Sequence, residues 1–303
     1  MTIAVTGATG FVGQALLDRA AQVNQPVRAL ARQLQDPREG VEWLKGELAD
    51  AQALDRLMRG AEAVIHVAGA VSAPDADGFE AANVTGTLNV IEAAKRAGVP
   101  RLVFVSSLSA REPQLSLYGA SKARAEKLVM ASGLDWTIVR PPAIYGFRDK
   151  EMLDLFKAAK WGVMPMPAKE GRASYIHVED LVRLLLKLVP GGEGVTGKVF
   201  EPDDGREQGW GHREIARAIG WAVGRRPVVI HLSSAWLHRA ARWGGKLTRG
   251  RFKLTADRAG YMAHPDWVAS SAFKVPESLW KPIVPTREGL KATAKWYREA
   301  GWL

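Results

Sequence analysis

Ile3-Ala4-Val5-Thr6-Gly7-Ala8-Thr9-Gly10-Phe11-Val12-Gly13 decides how this chain is read. An apolar, β-branched run leads into three glycines at spacings of three, and an amphipathic run, Phe11 to Val23, follows directly. Each glycine has its own use: Gly7 permits the tight turn, Gly10 lets backbone approach a pyrophosphate, and Gly13 lets the helix lie close on the strand. The first N–H groups of that helix then face an anion. Strand before and helix after make this a dinucleotide site, with Thr9, Phe11 and Val12 beside the glycines as cofactor contacts.

Outward from this unit, β-branched runs alternate with amphipathic runs at the spacing of consecutive βαβ units. Expected strands are Thr2 to Thr6, Pro26 to Ala31, Val41 to Lys45, Ala63 to Val67, Arg101 to Ser106, Thr137 to Arg140 and Lys198 to Glu201. Val64-Ile65-His66-Val67 and Leu102-Val103-Phe104-Val105 are nearly continuous apolar runs, as strands covered on both faces must be. Helices are expected at Phe11 to Val23, Ala51 to Arg59, Phe79 to Ala97, Tyr118 to Ala131, Val178 to Val189, Gly211 to Trp221, Ser234 to Trp243 and Thr286 to Ala300. Met164-Pro165-Met166-Pro167 reads as a loop. The class is α/β: a Rossmann-type doubly wound parallel sheet of about seven strands with a smaller, partly interleaved C-terminal substrate lobe. Residues 1–146 form the nucleotide domain, 172–202 return to it, and 147–171 with 203–303 form the lobe that roofs the crevice.

The second strand ends in Val27-Arg28-Ala29-Leu30-Ala31-Arg32, with no carboxylate before Asp36. An acidic residue there would hold the ribose 2′-hydroxyl of NAD, whereas arginine accommodates the 2′-phosphate of NADP. Arg32 therefore points to NADP(H) rather than NAD(H).

Tyr118-Gly119-Ala120-Ser121-Lys122 opens a helix, so Tyr118 and Lys122 share one face a turn apart. A nearby ammonium favours a phenolate and pulls a tyrosine down from its ordinary value near 10, which suits proton exchange with a substrate oxygen. Ser106 and Ser107 end the fifth strand, and either hydroxyl suits a hydrogen bond to that oxygen.

With these residues the chain resembles the short-chain dehydrogenase/reductase superfamily, in its extended or atypical, epimerase/dehydratase-like branch. The resemblance takes in Gly46-Glu47-Leu48, His66-Val67-Ala68-Gly69, Asn83-Val84-Thr85-Gly86-Thr87, Arg140-Pro141-Pro142-Ala143-Ile144-Tyr145-Gly146 and His177-Val178-Glu179-Asp180. It implies that Tyr118 is the general acid/base, that Lys122 binds the nicotinamide ribose and lowers the tyrosine, and that Ser107 polarises the carbonyl. It also implies that Asn83 organises Lys122 through water. Glu47 and Leu48 would touch the adenine edge, and His66, Ala68 and Gly69 would line the cofactor. Ser106 and Pro141 would add cofactor-side contacts. Members that eliminate water carry an acidic pair after the active-site hydroxyl; here Leu108-Ser109 follow Ser107, which disfavours dehydration. The leading expectation is hydride transfer between nicotinamide and a carbonyl/alcohol pair. The alternatives are an epimerase that retains its NAD(P) and a non-catalytic NADPH-binding assembly or regulatory protein.

The chain has 303 residues, no cysteine, and 42 Lys+Arg against 32 Asp+Glu, a formal charge of +10. Disulfide scaffolds and thiolate chemistry are thereby excluded. The six histidines show no ligand-like pairing, so no metal is expected. No long uncharged apolar stretch and no basic leader are present, and the expected location is the cytoplasm. Pro141-Pro142 is a candidate cis bond, and the tryptophans beyond residue 160 are read mainly as packing, with some lining an apolar substrate pocket. A small-molecule substrate is expected, nucleic acid is not, and the chain is a monomer or homodimer. From Ile215 to Ala256 there is no Asp or Glu, while nine Lys and Arg residues supply most of the excess charge. This basic segment is a candidate contact for an anionic membrane or an acidic partner.

Overall fold

The computed structural model describes residues 2–167, 170–233, 235, 236, 239 and 255–303. Strands β1 (Ile3–Thr6), β2 (Val27–Ala31), β3 (Val41–Lys45), β4 (Ala63–His66), β5 (Arg101–Val105) and β6 (Asp135–Val139) alternate with helices α1 (Phe11–Gln22), α2 (Ala51–Met58), α3 (Ala76–Phe79), α4 (Gly86–Ala97) and α5 (Leu117–Met130). Further along lie β7 (Ala143–Tyr145), α6 (Leu153–Trp161), β8 (Val163–Met166), β9 (Arg172–Ala173), β10 (Tyr175–His177), α7 (Val178–Lys187) and β11 (Lys198–Phe200). The rest is β12 (Trp210–Gly211), α8 (His212–Ala222), β13 (Val228–His231), α9 (Ala256–Met262), β14 (Asp266–Trp267) and α10 (Thr286–Glu299).

Seven strands form one sheet in the order β11-β6-β5-β4-β1-β2-β3, every pair parallel. Every residue of β1, β4 and β5 is buried, because helices cover both faces. Successive side chains point to opposite faces. Ile3, Val5, Val103 and Val105 therefore pack with Leu16, Leu17, Leu181 and Leu185 of α1 and α7. Ala4, Leu102 and Phe104 pack on the other side with Leu54, Leu57, Val90, Ile91 and Val129 of α2, α4 and α5. Each such valine, leucine, isoleucine or phenylalanine side chain stabilises the fold by roughly 1.5–3 kcal/mol on burial. The strand order reverses between β1 and β4, and the crevice beyond their carboxyl ends is where such sheets bind ligands.

Local signals set the element ends. Asp50 accepts from the Ala53 N–H at the start of α2, Ser116 from the Gly119 N–H at the start of α5, and His177 from the Glu179 N–H at the start of α7. Gly98, left-handed at φ 68°, stops α4. The stretch expected as one helix from Phe79 to Ala97 instead contains a π-helical turn, Glu80–Thr85, between α3 and α4.

A third core joins Phe156, Met164, Met166, Ile215, Ile219, Leu290 and Tyr297 in the lobe. Met164 to Met166, expected as loop, is strand: β8 pairs in parallel with β13, Met164 and Met166 alternate inward, and Pro165 faces out of a strand with one free edge. No cis peptide bond occurs among the described residues, so Pro141-Pro142 is trans. Trp210 and Trp280 are core, as expected, whereas Trp161 and Trp236 are exposed. The helix expected from Ser234 to Trp243 falls largely outside the described residues, as do the basic residues from Arg242 to Lys253.

Candidate active site

At the β1–α1 turn, Gly7 has φ +72°, and a Cβ there would lie 2.5 Å from the Ala68 nitrogen. A Cβ on Gly13 would collide with the Gly7 carbonyl oxygen. Only glycine fits either position. Gly10 is the extended N-cap of α1, and neither a capping side chain nor an acidic residue occupies the first turn. The leading N–H groups and the positive end of the helix dipole are thus left for an anion, with Thr9 exposed and Phe11 and Val12 half-buried at the mouth. A pyrophosphate fits this turn.

Beyond the ends of β2 and β3, Arg32, Lys45, Gly46, Glu47, Asp50 and Arg56 line a cavity of about 450 Å³. Arg32, Lys45 and Arg56 are all exposed. Arg32 stands out in the sequence; Lys45 and Arg56 join it only through folding, because β3 pairs beside β2 and α2 turns back over both. Leu48 sits half-buried, its carbonyl accepting from Asn89 Nδ2 at 2.8 Å.

Two expected cofactor contacts are otherwise engaged. His66 is fully buried, with Nδ1 2.6 Å from Thr6 Oγ1 and Nε2 3.0 Å from Thr87 Oγ1. It braces β1 against α4 instead of lining the crevice, and burial, with Lys122 adding, pushes it down to about 3, so it stays neutral. Ser106 Oγ donates to Glu126 Oε1 at 2.5 Å and turns inward. Ala68 is half-buried and Gly69 exposed just beyond the end of β4, where Ala68 N donates to Thr6 Oγ1 at 3.3 Å. Buried Pro141 closes the end of β6, accepting from Leu108 N at 3.1 Å.

β5 and α5 bring the candidate reacting groups, Ser107, Tyr118 and Lys122, together. Ser107 lies close enough to Tyr118 to influence its hydroxyl, its own Oγ donating to Ser109 Oγ at 3.1 Å, and Phe79 packs near the tyrosine at 6.2 Å between ring centroids. Burial pushes Tyr118 up to about 12; the neighbouring Ser107 side chain opposes this and nearby Tyr261 of α9 reinforces it. The expected lowering of Tyr118 by Lys122 is therefore not what the structure holds. Lys122 Nζ instead donates to the Val105 carbonyl at 2.7 Å and stands over the Phe104 ring at 4.4 Å. Burial brings Lys122 down to about 8, with Glu126 pulling it back up. Asn83, buried in the π-helical turn, accepts from Ala70 N at 2.7 Å and donates to Ala70 O and to Ser121 Oγ. It thereby fixes the loop after β4 to α5 beside Lys122.

One group has almost no signature in the sequence. Arg140 grips Glu126 through Nε and Nη2 at 2.8 and 2.6 Å, and Glu201 lies 3.4 Å from its Nη1. Arg111 also reaches Glu201, at 3.2 Å, and the lobe's Ser270 N donates to the same carboxylate. With Glu126 and Glu201 buried, this chain of charges ties the active-site helix to the lobe. Only the position of Arg140 before two prolines hints at it.

A family model described as NAD(P)H-binding matches residues 7–157. A ceramide reductase of Caulobacter vibrioides is 39% identical over 99% of this chain and 96% of its own length. A 2-alkyl-3-oxoalkanoate reductase of Stenotrophomonas maltophilia is 29% identical over 96% and 98%. Among solved structures, the UDP-glucose 4-epimerase of Thermus thermophilus complexed with NAD superposes with a TM-score of 0.73 at 23% identity, covering 99% of this chain and 100% of that one. No helix among the described residues is long and apolar enough to cross a membrane. The nucleotide turn, the strand order and a reductase relative aligned end to end together establish that this chain belongs to the NAD(P)-dependent reductases of short-chain dehydrogenase/reductase type and is an NAD(P)-dependent enzyme.

Proposed function

We propose that this protein is an NADPH-dependent reductase acting on a carbonyl carried by a long-chain, ceramide-type lipid, with Tyr118 as proton donor. The observation that carries this reading is that Tyr118 and Ser107 come together where β5 meets α5, with burial keeping the phenol protonated at neutral pH. A protonated phenol is the form that reduction of a carbonyl needs. Ser107 and Tyr118 both donate to the substrate oxygen, and Tyr118 gives up its proton as that oxygen gains charge. Lys122, anchored by Nζ on the Val105 carbonyl, would hold the nicotinamide ribose beside the tyrosine. Asn83 holds the neighbouring backbone in place.

The residues that would hold the dinucleotide are Gly7, Thr9, Gly10, Phe11, Val12 and Gly13 at the pyrophosphate, Glu47 and Leu48 at the adenine, and Ala68, Gly69, Tyr118, Lys122 and Pro141 towards the nicotinamide. Arg32, joined by Lys45 and Arg56, supports NADP over NAD, since three cations with no ion-pair partner among the described residues suit a 2′-phosphate. When bound, the cofactor supplies the reducing equivalents.

The substrate class is favoured by the Caulobacter relative's name at 39% identity over essentially the whole chain, and by a second relative named for an oxoalkanoate. Leu108-Ser109 after Ser107 lacks the acidic pair that dehydration needs. The test is NADPH consumption by the purified chain, with an oxo-ceramide in detergent micelles set against UDP-glucose. Consumption with the lipid alone supports the reading. Inversion of a UDP-sugar without net consumption would replace it with the epimerase reading.

A further inference from the structure

The β8–β13 ribbon has an unusual outer face. In its register Val163 lies opposite Val228 and Pro165 opposite Ile230, and partners opposite one another in a parallel pair share a face. All four are exposed, while Met164 and Met166 turn into the lobe core. Trp161, two residues before Val163, is 87% exposed, and Val228 is 66% exposed. Soluble surfaces scatter such residues singly; four on one ribbon face, with exposed Trp161 two residues before it in the chain, mark a contact site.

The charge around this face is one-sided. Lys157 and Lys160 occupy the last turn before Trp161, and Arg225 and Arg226 lead into β13. All four are exposed, and none forms an ion pair among the described residues. Beyond the ribbon, Trp236 and Arg239 are also exposed, and the sequence carries no acidic residue until Asp257.

We infer that this face docks on an anionic lipid bilayer, with Trp161, Val163, Val228 and Ile230 entering the headgroup boundary and the flanking cations meeting acidic headgroups. An indole at the edge of an apolar patch matches the amphipathic layer between headgroup and acyl chain. Each flanking Lys or Arg gains from the negative surface potential. A second copy of this chain is the poorer occupant, since a two-fold contact would set the four cations against their own copies. α9 packs on the candidate active-site helix: its Asp257 accepts from the Leu117 N–H and its Tyr261 neighbours Tyr118.

The inference goes beyond the proposed reaction and is tested without turnover. The full chain is sedimented with vesicles of phosphatidylcholine alone or with phosphatidylglycerol added, across a salt series, alongside W161S/I230S and R225S/R226S. NADPH binding and thermal melting check that both variants fold. The expected result is binding to the anionic vesicles only, weakening with salt, and reduced at least tenfold in W161S/I230S. R225S/R226S should lose part of the salt-sensitive binding. Equal binding to neutral vesicles, no binding to either, or unchanged anionic binding by W161S/I230S overturns it. So does a wild-type dimer that W161S/I230S converts to monomer, which would assign the face to a second copy.

Discussion

The two ends of the crevice are built from different materials. At the candidate reacting end Lys122, Asn83 and Ser121 are buried and hydrogen-bonded to one another or to backbone, buried Glu126 is held by Ser106 and Arg140, and Gly7 and Gly13 are locked by contacts that no other residue allows. At the adenosine end Arg32, Lys45 and Arg56 stand in solvent on three separate elements. A buried, mutually satisfied site resists change and sets rate and fold. An exposed cluster of cations tunes preference and tolerates loss, because solvent screens each charge. Substitutions at the first end should therefore cost far more than substitutions at the second.

The sharpest break is expected from Tyr118→Phe. It removes the donated proton and keeps the ring against Phe79, so kcat for carbonyl reduction should fall about 10³-fold with NADPH affinity unchanged. Steady-state kinetics beside a fluorescence titration of NADPH would separate the two. Next is Gly13→Val, where the new side chain meets the Gly7 carbonyl. A destabilisation of about 2–3 kcal/mol is expected, read as a Tm drop of roughly 5 °C together with lost nucleotide binding.

A smaller effect follows from Lys122. Its folded-state value of about 8 lies below the ordinary 10.5, so between those values the unfolded chain binds the extra proton. Stability of the nucleotide-free chain should rise as pH goes from 8 to 10, by about 2 kcal/mol. Above 10 buried tyrosines such as Tyr118 oppose the trend, since their folded-state values are raised and stability is lost as the unfolded phenols ionise. Denaturant melts of wild type and Lys122→Met across this window check the sign: the variant should show no rise from this group. The smallest effect belongs to the adenosine end. Arg32→Ala with Lys45→Ala should weaken NADPH about tenfold and leave NADH unchanged, as paired titrations would show.

The same division explains what the sequence disclosed. Strands buried on both faces must be apolar throughout, so β1, β4 and β5 stood out in Ile3 to Val5, Val64 to Ile65 and Leu102 to Val105. The glycine spacing was legible because close backbone approach leaves no other residue. The π-helical turn at Asn83 was not, since one extra residue per turn leaves no mark in a periodic pattern. His66 and Ser106 sit at strand ends that face the crevice, yet both side chains turn inward onto Thr6, Thr87 and Glu126, partners 20 to 60 residues away. Lys45 and Arg56 needed the pairing of β2 with β3 before they met Arg32. In the lobe, Met164-Pro165-Met166 resembled a loop because proline is rare in strands; one free edge removed that objection.

The central claim is that Tyr118 and its neighbours support reduction of a lipid carbonyl. It is tested most directly by supplying NADPH deuterated at the transferable position together with an oxo-ceramide, and analysing the lipid product by mass spectrometry. The account predicts one deuterium on the new carbinol carbon, with stoichiometric NADPH oxidation in wild type and almost none in Tyr118→Phe. Undeuterated product, or equal turnover by Tyr118→Phe, would contradict it.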